Sequence, residues 1–424
     1  MQRVRRPNRS RRRMPDSADV NIARNRRSPC GLSRWMGASA GFLGWSIDAF
    51  DFFVVVFLVG HLAAQFGVSK ADIIWTLTAT LATRPIGAFI FGLFSDRYGR
   101  RLSLIGNIVC FTVLEVACGF APSFTVFLIL RALFGIGMGG EWGVGASLAM
   151  ETVPSRWRGL ISGILQAGYA AGYLMAAVAA RFILPVWGWR AMFFAGVAPA
   201  LLALYVSYKM PEPEAWRVHR AASAGAILRT LGEHSKEFAY LVMLLILMMF
   251  CSHGTQDLYP DFLMSAHHVA PRSAASIAML YNGGALLGGI IFGEFSQRAG
   301  RRIGMQSALA LSLLVIPLWA FGHSVAMLTL GAFLMQVGIQ GAWGVIPAHL
   351  TELAPASARS LLPGMAYQMA ILFAAFTNTF LYALRDRVGY AWALGGFEMV
   401  VIMSSIVVIS LGRERHSRDF MQAD

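Results

Sequence analysis

The sequence predicts an all-α membrane protein: twelve transmembrane helices arranged as two six-helix, pseudo-symmetric bundles. Three observations carry that expectation. They are an apolar composition, basic and nearly neutral connections that alternate between apolar runs, and motifs repeated at one fixed offset. Of 424 residues, 56% are hydrophobic and 14% charged, with a mean hydropathy of +0.57. Soluble domains carry about 25% charged residues. That balance excludes a soluble enzyme or nucleic-acid protein. One span takes about 20 apolar residues, so a chain of this length holds roughly twelve with short connections.

In chain order, residues 1–34 form a basic tail, with eleven Arg against Asp16 and Asp19, or +9 of the formal net charge of +14. Beside a first span, such a tail is expected to stay cytoplasmic and to touch anionic lipid headgroups rather than nucleic acid. It has no short apolar core ending in small residues, so it does not read as a secretory signal. Apolar runs then lie at 35–60, 71–94, 102–121, 124–150, 159–183 and 190–208, the first bundle (35–208). A polar stretch, 209–238, is the expected cytoplasmic linker. The second bundle (239–411) has runs at 239–262, 273–294, 303–322, 325–351, 359–384 and 389–411, followed by a short cytoplasmic tail, 412–424.

Orientation follows from Lys and Arg. With the amino terminus inside, inner segments hold 28 of them; the outer loops hold six, namely Lys70, Arg181, Arg190, Arg272, Arg385 and Arg387. The positive-inside rule places both termini in the cytoplasm and requires an even number of spans. Compact loops suit a bacterial cytoplasmic membrane. Cys30, Cys110, Cys118 and Cys251 lack metal or disulfide spacing. No cofactor or metal is expected, and the chain is expected to act as a monomer.

The repeat fixes the two-bundle architecture. GLFSDRYGRR at 92–101 returns as GEFSQRAGRR at 293–302, and GEWGV at 140–144 as GAWGV at 341–345, both offset by 201. Glu151 answers Glu352, and Arg158 answers Arg359, at the same offset. Paired repeats of this kind bind substrate between the halves near the bilayer midplane. The 92–101 segment is expected as an inner loop of about eight residues. There Asp96 can pair with Arg97, Arg100, Arg101 or a helix end of the other bundle, as a gate that breaks and reforms when the halves rock. Gln297 replaces the acid in the second copy, which predicts a weaker latch.

Charges inside spans are costly, by about 2.5–3.5 kcal/mol each, and point to function. The candidates are Asp48, Asp51, Arg84 and Glu141. Arg84, Arg131 and Glu141 fall opposite Ala285, Ala332 and Ala342 in the second half, so these charges are not repeated. Arg84 is expected to pair with Asp51 or Glu141, or to take a substrate carboxylate. Glu115 and Glu398 stand alone in their spans and are not assigned.

Span 7 reads Ser252-His253-Gly254-Thr255-Gln256-Asp257-Leu258-Tyr259-Pro260. His253 and Asp257, spaced i,i+4, share a helix face, with Ser252 and Gln256 alongside. Gly254 and Pro260 loosen the helix so that backbone groups can line a cavity. An imidazole beside a carboxylate is suited to hold a proton. Gln166, Tyr169 and Tyr173 of span 5, Asn282 of span 8, Gln336, Gln340 and Trp343 of span 10, and Gln368 and Asn378 of span 11 lie at matching depth.

The paired 92–101 and 293–302 motifs resemble the signature loop of the major facilitator superfamily. The span-7 run resembles the signature of the lactate/pyruvate and sialate:proton symporter family, Asn-x-x-Ser/Thr-His-x-Ser/Thr-Gln-Asp-x-x-x-Thr. Ser252, His253, Thr255, Gln256 and Asp257 match it; Met249 and Asp261 depart from it. The resemblance implies that His253 and Asp257 serve carboxylate recognition and proton coupling. The expected activity is symport of a short monocarboxylate with a proton. A carrier of a larger organic acid or sugar is the alternative, and a non-transporting membrane sensor a remote one. No nucleophile elbow, metal cluster or phosphate-cradling loop suggests an enzyme.

Overall fold

The computed structural model describes residues 31–221 and 223–422, with side chains from Trp35 onward; most of the basic tail thus lies outside the described residues. Among these residues, twelve helical stretches are long and apolar enough to span a membrane. Spans 1–6 are Trp35–Phe66, Lys70–Tyr98, Arg100–Gly119, Phe124–Thr152, Ser155–Phe182 and Leu184–Lys209. Spans 7–12 are Ser235–His267, Pro271–Ala299, Arg301–Phe321, Val325–Leu353, Leu361–Val388 and Tyr390–Leu411. All are within a few residues of the apolar runs. Their outer faces expose Leu314 (79%), Met279 (70%) and Val186 (70%), an apolar surface that suits lipid and not water.

Local chemistry sets the ends. Ser123 accepts from the Val126 amide at the start of span 4 (3.4 Å), and Ser324, 201 residues on, accepts from Met327 at the start of span 10 (3.2 Å). Ser69 and Asp72 form a capping box before span 2. The expected eight-residue loop between spans 2 and 3 is not there. The helix runs on to Tyr98, and the chain turns at Gly99 alone (φ 132°), as it does at Gly300 (φ 96°) between spans 8 and 9. Both angles suit only glycine comfortably, so the motif is two helix ends around one hinge residue.

Span 2 packs on span 11 and span 5 on span 8, two contacts related by the repeat, and together they form the seam between the bundles. Close approach there requires glycine: a Cβ on Gly163 of span 5 would overlap the Gly289 carbonyl of span 8. Span 6 is kinked at Gly188, which leaves helical geometry altogether (φ 74°, ψ −179°). Elsewhere the spans only loosen into turns with near-helical angles, at Gly140 in span 4, Gly196 in span 6, Asp257–Leu258 in span 7 and Ala375–Phe376 in span 11. In span 7 the turn falls just before Pro260, which sits at the start of the second helical piece, Tyr259–His267, where proline costs no hydrogen bond. The linker is not featureless: it forms short helices at Glu214–His219 and Ala224–Glu233.

Candidate functional site

Two clusters stand out: a polar lock at the end carrying Asp96, and charges at membrane depth. In the lock, Asp96 is buried and accepts from the backbone amides of Ser360 (3.1 Å) and Leu361 (2.9 Å), at the start of span 11 in the other half. Arg100 bonds Asp96 and reaches Glu151 at 3.0 Å, while Arg359 crosses from the second half to Glu151 at 3.2 Å. The repeat reproduces each link. Gln297 accepts from the Gly159 amide (3.0 Å), Arg301 bonds Gln297 (2.9 Å) and Glu352 (2.9 Å), and Arg158 lies 3.6 Å from Glu352. Ser147 and Ser360 hydroxyls meet across the seam at 2.5 Å.

The sequence left three Arg partners open for Asp96, and the structure selects Arg100. Arg97 and Arg101 are corrections to the expected gate. The Arg97 guanidinium lies over the Tyr98 ring and that of Arg101 over Tyr208, and neither reaches Asp96. Instead Glu212 from the linker accepts from the amides of Arg100 and Arg101, and Glu414 from those of Arg301 and Arg302. Burial pushes the Glu212 carboxyl above its usual value. The segment after span 12 joins the lock: Phe420 is packed under both Arg158 and Arg359. Sequence reading missed these roles because they depend on which helix ends meet.

At membrane depth in the first half, Arg84 pairs with Asp48 at 2.8 Å, both buried. The expected partners, Asp51 and Glu141, do not bond it. Arg131 pairs with Glu115 at 2.9 Å, also buried, so Glu115 is not alone as its span suggested. Asp51 Oδ1 and both Glu141 oxygens are buried without a hydrogen bond. In the second half, His253 Nδ1 lies 3.0 Å from Asp257 and Asn378 donates to the same Asp257 oxygen at 2.8 Å. These side chains remain 38% and 33% exposed, so this end of the site is open while the Asp96 end is shut.

Gln256 donates to Gln336 (2.7 Å), Gln336 to Thr255 (3.0 Å), and Gln340 to Ser252 (3.0 Å), which fixes the span-7 motif against span 10. Asn282 turns back to the Ala278 carbonyl of its own helix (2.8 Å) and does not bond the cluster. Gln166 is half-buried with its Oε1 unpartnered. Tyr169, 40% exposed, stands within electrostatic reach of Asp257 of the second half and of Arg84 and Asp48 of the first. Rings close the floor: Tyr367 stacks on Trp142 (4.3 Å) and meets Trp45 and Trp343 edge-on (6.0 Å each). Glu398 of span 12 is fully buried with neither oxygen bonded, packed against Gly254. No cluster of three or more His, Cys, Asp or Glu among the described residues could hold a metal.

Two repeated bundles that meet around buried charge, shut at one end and open at the other, define a membrane transporter. The Major Facilitator Superfamily model matches residues 41–260, and the Sugar (and other) transporter model matches 239–412. The chain belongs to the Major Facilitator Superfamily and is a transporter, not an enzyme. It is 30% identical to the carboxylic acid transporter protein homolog of Saccharomyces cerevisiae over 83% of this chain, and spans 62% of that relative's length. It is also 30% identical to the probable 4-methylmuconolactone transporter of Cupriavidus pinatubonensis, over 88% of this chain and 89% of the relative. Among solved structures, the proton:xylose symporter XylE superposes with a TM-score of 0.72 at 19% identity, covering 92% of this chain and 98% of that one.

Proposed function

We propose that this chain carries a short monocarboxylate, of the lactate or pyruvate type, together with a proton by alternating access. The setting is a bacterial cytoplasmic membrane with the Asp96 end and both termini inside, as the Lys and Arg distribution favours. The observation that supports this most is the buried Arg84–Asp48 pair, which has in common with the half-open His253–Asp257–Asn378 cluster one neighbour within electrostatic reach, Tyr169. A substrate carboxylate takes Arg84 from Asp48, because a buried anion needs a cation. His253 and Asp257 receive the proton from the open side. Gln166, Gln256 and Gln340 line the space between, and Asp51 and Glu141 complete the charge set. Anion and proton cross together because an anion alone leaves the site with an unpaired charge. The Asp96–Arg100 lock gates the inner end.

The yeast relative's name supports a carboxylic acid as cargo. A larger, flat organic acid is the second reading. It is favoured by the ring floor of Trp45, Trp142, Trp343, Tyr169 and Tyr367 and by the methylmuconolactone carrier among the relatives. Competition separates the two: uptake of labelled lactate into cells, challenged with excess pyruvate, benzoate, muconate, sialic acid or glucose. Inhibition by pyruvate above all others supports the short acid. Absence of lactate uptake, with uptake of labelled muconate or benzoate, replaces it with the larger one.

A further inference from the structure

Four acids and two bases sit at membrane depth in the first half: Asp48, Asp51, Glu115 and Glu141 against Arg84 and Arg131. The two ion pairs account for Asp48 and Glu115. Of the remaining acids, Glu141 is fully buried and neither oxygen has a hydrogen-bond partner. Its carboxyl lies against the span-1 backbone so closely that a Cβ on Gly44 would overlap it. A carboxylate there would be an uncompensated charge in a dry, packed site, which a protein avoids by keeping the acid neutral.

The position of Glu141 connects that proton to the seam. Glu141 directly follows the turn at Gly140 in span 4, and contacts between the halves surround it in sequence. The Gly139 carbonyl accepts from Gln368 of span 11 (3.1 Å), Trp142 stacks on Tyr367 (4.3 Å), and Ser147 meets Ser360 (2.5 Å). Gly143 packs so tightly against Gly364 that a Cβ would come within 2.7 Å of its Cα. Water cannot hydrate Glu141 while these contacts hold. The groups facing it are Asp48 of span 1, Arg84 of span 2 and Tyr367 of span 11.

We propose that Glu141 holds the proton that crosses with the substrate, and that its ionisation unlocks the seam at the Asp96 end. This rests on the proton-coupled reading above. When the seam parts, the Glu141 O–H bond breaks, the proton passes to incoming water as hydronium, and the carboxylate left behind is hydrated. The emptied carrier then turns back to face the opposite side, where a proton restores the neutral acid and fixes the seam shut. The proton and the substrate's negative charge leave together when the seam parts, so their crossing moves no net charge. Asp257, one-third exposed and bonded to His253 and Asn378, takes the proton from the open side and passes it inward, where Glu141 holds it for the crossing. Glu398 is equally buried but packs on Gly254 inside the second half, with no link to the seam.

The test needs no substrate. Ser147→Cys, in a chain whose four native cysteines are replaced, is reconstituted in nanodiscs and labelled with a maleimide across pH. Because the thiolate fraction itself grows with pH, each rate is divided by that of the same cysteine in the denatured chain at the same pH. The ratio is expected to rise with pH, by up to roughly tenfold per unit for one governing proton. Glu141→Gln is expected to label slowly at every pH, and Glu141→Asp to restore the dependence with a shifted midpoint. An unchanged profile in Glu141→Gln, or an unshifted midpoint in Glu141→Asp, overturns the proposal. Failure of lactate transport alone would overturn the substrate reading and leave this result standing.

Discussion

Asp96 and Gln297 stand 201 residues apart and do the same thing in opposite halves: each accepts from the first backbone amides of a helix across the seam. Asp96 holds Ser360 and Leu361; Gln297 holds Gly159, whose repeat partner is Ser360. Each is tied by an arginine, Arg100 or Arg301, to a glutamate at the end of span 4 or span 10. The lock is therefore symmetric in geometry and asymmetric in charge. A carboxylate on helix-start amides makes bonds about twice as strong as a neutral amide does.

Asp96→Asn keeps the shape and removes the charge. It is predicted to weaken the closed state by about 1.5–3 kcal/mol, against about 1 kcal/mol for Gln297→Ala. Maleimide labelling of a cysteine at the Asp96 end should therefore rise more in the first variant than in the second. Equal effects would mean that the charge does not matter there.

Arg84→Ala leaves Asp48 buried without its cation, which costs about 3–5 kcal/mol. The double variant Arg84→Ala with Asp48→Ala is predicted to recover most of the loss in Tm in detergent, yet no uptake. Recovered uptake would remove Arg84 from substrate binding.

Asp257→Asn removes the carboxylate shared by His253 and Asn378. Breaking two bonds to a charged group predicts a drop in uptake of roughly tenfold or more at neutral outer pH, with Tm nearly unchanged because the group is one-third exposed. Asn378→Ala should fall in the same direction by less. An unaffected uptake rate in Asp257→Asn would remove this cluster from the pathway.

Glu212 supplies a pH dependence. Burial raises its folded value, so the folded chain binds its proton more tightly than the unfolded one, whose value is about 4.3. Its contribution is therefore fully present below about pH 4.3 and declines as pH rises through the folded value. Glu212→Gln is predicted to flatten that part of the Tm profile. A decline as steep as in the parent would contradict the assignment.

Span positions and the two-bundle architecture were legible because both are one-dimensional: apolar length and a constant offset of 201. The span-7 motif was legible because its residues are neighbours on one helix. Pairing was not, because partners sit on different helices at unrelated spacings. Nothing in the sequence ties Glu115 to Arg131, or directs Arg84 to Asp48 instead of Asp51. The Glu212 and Glu414 caps and the Phe420 wedge lay in stretches that read only as polar connections. Glu398 was left unassigned because its burial depends on how spans 7 and 12 pack. The single-glycine turn at Gly99 was hidden because polar residues at a helix end look like a loop.

The most direct test of proton-coupled carboxylate transport is accumulation of labelled lactate in proteoliposomes, with and without an inward proton gradient. Gradient-driven accumulation above the outside concentration, abolished by collapsing the gradient and by Arg84→Ala, is the predicted result. Lactate that only equilibrates, equally fast with and without the gradient, would contradict it.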